Sequence, residues 1–388
     1  MRLFAEGGTL AVVVERVLIL YLRTGGGHIS AARALADEFH RRDGVEPHLY
    51  NPIGGRNRIS RFLIEKGYSR TSARLRMCWP FVYEVSRFRP FIDASLYIYS
   101  LFFRRKVRRY IIDHGITRVV SVHFLNGWLI SDVRRGIDSP SIKACTVVTD
   151  PYTAHPIWFR RRRFPVVVFS EALRSTAIHR YNVDPQRIVV LPIILRHEFQ
   201  VRLTNDKIAE RKREFGFRES TPLVLLAGGG EGLSNGDLLL AELARSSVDF
   251  DLAVVCGHSE SLYERCCLVA ESVSNRRVKV FGFTGRMYDL MNCSDVVIGK
   301  AGPATVMEVL LLRKPLIITS YMYGQERGNV DFVQQNRLGF FVRRPEMVRE
   351  RVEHILGVPD NLAAIQENID RIQIRSGTER IADYILAL

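Results

Sequence analysis

Thr24-Gly25-Gly26-Gly27-His28-Ile29-Ser30 stands between an apolar run and an amphipathic one. Before it, Val12 to Leu22 (VVVERVLILYL) is short and rich in β-branched residues, as buried strands are. After it, Ala31, Ala34, Leu35 and Phe39 recur at helical spacing with Arg33, Asp37, Arg41 and Arg42 opposite, which predicts a helix starting near Ser30. Strand, glycine loop and helix in succession are how α/β proteins hold anions and sugars. Residues without side chains let a ligand reach the backbone, and the helix N-terminus favours negative charge. The stretch lacks both the G-x-G-x-x-G of dinucleotide folds and the G-x-x-x-x-G-K-[ST] of a P-loop. His28, following three glycines, is read as presented at the crevice; the competing reading is a helix-capping histidine.

At 388 residues the chain is long enough for two domains with separate cores. An apolar fraction of 47% and a charged fraction of 25% are ordinary for a globular protein. The charge balance is not ordinary: 56 Lys and Arg against 41 Asp and Glu give +15. Such an excess points to nucleic acid, anionic lipid or a phosphorylated substrate as partner. Most of it lies between Asn51 and Tyr110, where 14 basic residues face three acids, interleaved with aromatics such as Phe62, Tyr68, Trp79, Phe81, Phe91 and Phe102. Aromatic rings settle at a lipid–water boundary, and each basic residue near an anionic surface contributes on the order of 1 kcal/mol. The segment is therefore read as a membrane-surface dock. No nucleic-acid module is recognisable, so no nucleic-acid partner is expected; a solvated basic helix packed by its aromatics is the plainer alternative.

Six cysteines without C-x-x-C pairing, with Cys266-Cys267 expected on a helix, indicate a reducing compartment. The best apolar stretch, Val119 to Ser131, contains His123 and Asn126 and stops at Asp132, so no spanning helix is expected. Arg2, Glu6, Glu15 and Arg16 leave no clean signal sequence. A cytoplasmic protein bound peripherally to the membrane is expected.

Thr117 to His123, Ile142 to Asp150, Pro165 to Ser170 and Arg187 to Pro192 read as strands, with helices such as Glu171 to Tyr181 between them. That alternation predicts a parallel sheet covered on both faces. His123, Asn126 and Asp150 fall at the carboxyl ends of its strands, where ligands gather. Arg196 to Ser220 is polar and is read as a linker with a leading helix. At Pro222 the run PLVLLAGGGEGLSNG repeats the strand-then-glycines plan, and strands follow at Phe250 to Cys256, Val278 to Phe281, Asp295 to Ile298 and Leu316 to Thr319. The expectation is an α/β protein of two similar halves, 1–198 and 217–360, with a cleft between them and a helical segment 361–388 crossing back to the first.

A second constellation comprises Gly282-Phe283-Thr284-Gly285, then Gly299 to Glu308 (GKAGPATVME), then Tyr323 to Asn329 (YGQERGN). In the middle piece a strand ends at Ile298 and a helix starts near Pro303, leaving the Ala304 and Thr305 N–H groups for a diphosphate. Proline suits that first turn because its missing donor costs nothing there. Glu308, a turn further on, can accept both hydroxyls of a ribose, and Gln325, Glu326 and Asn329 offer the donor–acceptor mix that sugar hydroxyls need.

TGGGHISAA, VVSVH, VVTDPYTAHPIWF, AGGGEG, GFTGRMYDLM, KAGPATVME and GQERGNV, in this order between about Val17 and Leu356, resemble the monogalactosyldiacylglycerol synthase and processive diacylglycerol glycosyltransferase group. That group is related to the enzyme adding N-acetylglucosamine to lipid-linked peptidoglycan precursors. The resemblance implies a GT-B fold, two facing Rossmann-like domains, with a lipid acceptor on the first domain and a UDP-sugar on the second. It implies inverting transfer of galactose or glucose to diacylglycerol or a glycosyldiacylglycerol, with no metal and no cofactor beyond the donor. Carried over position by position, His28 matches the catalytic base and Glu308 the ribose-binding acid. Gly302 and Thr305 match the phosphate turn, Gln325 and Glu326 the donor-sugar contacts, and Phe283 and Thr284 the uracil side. Gly26, Gly27, His123, Asp150, His155 and Trp158 match the acceptor side. A neutral imidazole is the usual general base, and amide donors with a helix dipole can stabilise departing UDP. The chain departs from the group at Ala304, at Tyr323-Gly324 and at Arg327, where glycine, Pro-Gly and an acid are usual. The alternatives are transfer to a polyprenyl-linked or other lipid acceptor, and a non-catalytic anionic-lipid or nucleotide-binding protein.

Overall fold

β1 (Glu15–Leu20) sends its side chains alternately to two buried clusters: Val17 and Ile19 join one, Leu18 and Leu20 the other. A strand buried on both faces belongs in the middle of a covered sheet, and the computed structural model has this arrangement. It describes residues 14–23, 26–54, 79–134, 142–160 and 164–388. Arg2, Glu6, Val12, Thr24, Gly25, Phe62 and Tyr68, all invoked above, lie outside the described residues.

The chain divides into two compact units. The first comprises Met1–Arg196, Tyr323–Gln325 and Ser376–Leu388, the second His197–Met322 and Glu326–Arg375. In the first, β1 is followed by α1 (Gly26–His40), β2 (Val45–Tyr50), α2 (Trp79–Ser86) and α3 (Arg89–Asp113). Then come β3 (Arg118–Ser121), α4 (Phe124–Arg134), β4 (Lys143–Val147), β5 (Val166–Val168), α5 (Glu171–His179) and β6 (Ile188–Val190). The strands form one parallel sheet in the order β2-β1-β3-β4-β5-β6. α1 covers the Val17 face with Ala31, Leu35 and Phe39, and α3 and α4 cover the Leu18 face with Val107, Ile111, Leu129 and Ile130. The order of strands turns round between β1 and β3, so the crevice at their carboxyl ends is where such a sheet takes a ligand.

The second unit runs α6 (Asn205–Phe215), β7 (Leu223–Ala227), α7 (Gly236–Ala244), β8 (Asp251–Val255), α8 (Glu260–Glu271), β9 (Val278–Phe281) and α9 (Met287–Cys293). It continues with β10 (Val296–Lys300), α10 (Pro303–Leu311), β11 (Leu316–Ser320), α11 (Arg327–Gln335), β12 (Gly339–Phe341), α12 (Pro345–Gly357) and α13 (Pro359–Ile372). Its parallel sheet, in the order β12-β11-β10-β7-β8-β9, reverses between β7 and β10. Every residue of β7 and β8 is buried, as expected where helices lie on both faces.

Several sequence-based boundaries move. α1 begins at Gly26 rather than near Ser30, because a first turn of glycines has no apolar stripe from which a start can be read. The helix read within the polar stretch before Pro222 is α6, and it belongs to the second unit, whose start therefore moves from 217 to His197. β10 runs on through Lys300, with its register shifting between Gly299 and Lys300. Segment 361–388 does not act as one piece: α13 packs in the second unit, and only α14 (Thr378–Ala387) joins the first.

α14 completes the first unit's core by burying Ile381, Ala382 and Ile385 against the α1 face of the sheet. Each isoleucine contributes roughly 1.5–3 kcal/mol of burial. The Arg118 guanidinium donates to the Ile385 and Leu386 carbonyls at 3.1 and 2.9 Å, a cation at a helix C-terminus where the dipole favours it. At the other end, buried Thr378 Oγ1 donates to Leu195 O at 2.7 Å and accepts from Leu195 N–H at 3.0 Å. Thr378→Val keeps the shape but leaves the Leu195 N–H unsatisfied and its carbonyl with only the 3.5 Å bond from Ser376 Oγ. It is expected to lower the unfolding free energy by about 1–3 kcal/mol in denaturant titration, with Thr378→Ser close to the parent.

Candidate active site

His28 lies in the first turn of α1, on the β1 side of the first sheet's reversal. Its Nδ1 is 2.9 Å from the Val122 carbonyl just beyond β3 and 3.0 Å from Thr149 Oγ1. A carbonyl only accepts, so the proton sits on Nδ1 and the lone pair on Nε2. Gly26 and Gly27 precede it, and a Cβ at either would meet nothing within 4 Å. Packing therefore does not require glycine there; a backbone left bare to a ligand is what their absence of side chains provides.

Aromatic rings enclose the imidazole. His123 meets it edge-on with ring centroids 4.6 Å apart, and Trp158 lies at 6.0 Å. This burial pushes the His28 pKa down to about 4, only partly opposed by the bond to Val122. His123 is fully buried, and its Nδ1 accepts from Leu125 N–H at 3.3 Å. Trp158 is fully buried too, its indole N–H donating to buried Asp150 at 2.9 Å. His155 accepts from Ile157 N–H at its Nδ1, so its Nε2 donates to Ser86 Oγ at 3.1 Å, and Ser86 donates on to Tyr83 O at 2.7 Å. The structure thus brings His28, His123, Asp150 and Trp158 into one cluster, and it places His123 and Trp158 behind the imidazole, inside the core. Thr149 escaped the sequence reading, although it precedes Asp150 beyond a strand end.

In the second unit the loops after β7 and β10 flank the other sheet reversal. Gly228, Gly232 and Gly257 are packed together: a Cβ at Gly228 would lie 2.1 Å from Gly232 C, and one at Gly257 2.2 Å from Gly230 O. α10 starts at Pro303 with Gly302 as its cap and no side chain capping it, which leaves first-turn N–H groups, including that of Thr305, facing outward. Glu308, on the Thr305 side one turn further on, is buried. Glu326 accepts from Met322 N–H at 2.6 Å, and burial raises its pKa. Asn329 is fully buried, donating to Ala301 O at 2.7 Å, so it braces the loop after β10 from behind. Gln325 belongs to the first unit, where its carbonyl accepts from Thr153 Oγ1 at 2.6 Å. Phe283 is 67% exposed, and Thr284 Oγ1 accepts from Arg286 N–H at 3.0 Å. Among the described residues no group of three His, Cys, Asp or Glu side chains is placed to hold a metal ion.

His28 and His155 are both lowered from 6.5 to about 4 by burial. Each is neutral in the fold and takes up a proton on unfolding below pH 6.5, so their contribution to stability is complete above that pH and is lost as pH falls through 4. Unfolding free energy measured between pH 7.5 and 4.5 is expected to fall, with a shallower slope in His155→Gln.

Residues 237–373 match the Glycosyltransferase family 28 C-terminal domain. Over 387 residues the chain is 29% identical to a probable chloroplastic monogalactosyldiacylglycerol synthase of Nicotiana tabacum, covering 95% of this chain and 69% of that one. Over 365 residues it is 28% identical to the monogalactosyldiacylglycerol synthase of Spinacia oleracea, covering 89% and 67%. Among solved structures, MurG of Acinetobacter baumannii superposes with a TM-score of 0.64 at 14% identity, over 96% of this chain and 100% of that one. Anabaena HepE, in complex with UDP-glucose, superposes with a TM-score of 0.58 at 14% identity over 96% and 99%. The fold is GT-B, and along most of its length the chain is similar to glycosyltransferases that are named for making a galactolipid.

Proposed function

We propose that the protein transfers a hexose from a UDP-sugar to diacylglycerol or a glycosyldiacylglycerol, by a single inverting displacement at a membrane surface. The observation that carries this reading is His28: an uncharged imidazole beside a bare backbone, its proton fixed on Nδ1 and its Nε2 lone pair available. Nε2 takes the proton of the acceptor hydroxyl as that oxygen bonds to the anomeric carbon. The bond from that carbon to the β-phosphate oxygen breaks, and UDP leaves with the electron pair. The cation formed on His28 is disfavoured by burial, so the negative charge of the departing diphosphate is what steadies it. The open N–H groups of α10 support the diphosphate and Glu308 the ribose hydroxyls. The names of the relatives supply the acceptor class, and the UDP-glucose held by HepE supports a nucleotide-sugar donor.

The outward face of α3 supports the membrane part of the reading. Phe91, Ile98, Phe102, Arg105, Arg109 and Ile112 follow one another at helical spacing, and all are exposed. Phe102 is 76% exposed. An apolar half followed by an arginine half on one stripe suits a bilayer boundary with anionic head groups. Among the described residues no helix is long and apolar enough to cross a membrane.

With diacylglycerol vesicles, UDP-galactose or UDP-glucose is expected to give UDP and a glycosyldiacylglycerol. His28→Ala should lower turnover at least about hundredfold, while Glu308→Gln should act mainly by raising the donor KM, by about tenfold. Absence of UDP release with every common UDP-hexose, or wild-type turnover in His28→Ala, refutes the assignment. In vesicle sedimentation, Phe102→Ser and Arg105→Glu are each expected to weaken binding to vesicles containing phosphatidylglycerol; unchanged sedimentation of both variants removes α3 from the membrane contact.

A further inference from the structure

Two aromatic side chains of the second unit are stacked where no core presses them together. His258, just beyond β8, and Phe283, just beyond β9, have ring centroids 4.2 Å apart and planes 10° from parallel. Both are exposed, so burial does not account for the pair. The backbone sets each ring in place. His258 N–H donates to Gly230 O at 2.7 Å. Gly257 before it has φ +62° and no space for a Cβ, so the chain is held tight against the glycine loop after β7. Thr284, through its bond from Arg286 N–H, fixes the turn that carries Phe283. Gly229, Gly230 and Gly285 leave open space where side chains would stand.

We propose that His258 is a positioning residue for the donor's nucleobase: it holds the Phe283 ring flat, so that a pyrimidine can stack on the exposed pair. This deepens the donor reading above and rests on it. In the order β10-β7-β8-β9 the pair lies two to three strands from the β10–α10 loop. At about 4.8 Å per strand that is roughly 10–14 Å, the span from a nucleobase to its β-phosphate. One sheet edge therefore offers a flat aromatic surface at one end and open helix N–H groups at the other, with the glycine loop between them. Stacking tolerates any base, so the pair supplies affinity, and discrimination for uracil falls to the polar backbone of the same turn.

Calorimetric titration of the intact chain with UDP, paired with donor kinetics, tests this. His258→Ala is expected to raise the Kd for UDP and the donor KM by about fivefold or more, with kcat within about twofold and the melting temperature unchanged. His258→Phe restores both, because a stacking ring is all that is required. Phe283→Ala weakens UDP at least as much as His258→Ala. Wild-type affinity in His258→Ala, a loss confined to kcat, or failure of His258→Phe to rescue each overturns the platform while leaving the donor reading intact. A wild-type chain that binds no UDP overturns the donor reading itself.

Discussion

The hydrogen bond from His28 Nδ1–H to the Val122 carbonyl, 2.9 Å long, is the constraint that sets the state of the imidazole at the first sheet's reversal. It joins the turn after β1 to the residue beyond β3, across the one place where the order of the sheet reverses. The bond selects the tautomer, and the surrounding rings remove the charge. What is left is a base with a single available nitrogen. No carboxylate hydrogen-bonds Nδ1 among the contacts the structure records for this ring; its partners are a carbonyl and a hydroxyl. Nothing bonded to Nδ1 raises the basicity of the ring as a carboxylate would, so its burial goes largely unopposed.

The second unit solves a complementary problem with backbone rather than side chains. Its glycines at 228, 232 and 257 are packed so closely that a Cβ at any of them would strike main-chain atoms. That packing draws the loop after β7 against the end of β8, and Asn329 fixes the loop after β10 from beneath. The backbone N–H groups of these loops are thereby held in fixed positions, and a fixed dipole needs no reorganisation when charge is placed against it.

The strands were legible because a parallel strand covered on both faces is a short, mostly apolar run, and β1, β7 and β8 are such runs. Strand order was not legible, since it depends on pairing between distant segments. Residue type marked where polar groups would sit but not the direction they would face. Trp158 and Asn329 look like ligand contacts in sequence, yet both are fully buried. Thr149 and Val122 lie inside two of the quoted motifs but were not singled out there, and only the fold brings them to His28. The division of the C-terminal segment between α13 and α14 was hidden as well, because both are amphipathic and nothing in their spacing says which core receives them.

Nitrogen-15 NMR of the histidine side chains across a pH titration tests the central claim most directly. The account requires the His28 resonances to report a proton on Nδ1 and a bare Nε2 throughout neutral pH, with protonation only as pH approaches about 4. A His28 ring that is cationic at pH 6, or that carries its single proton on Nε2, would contradict it.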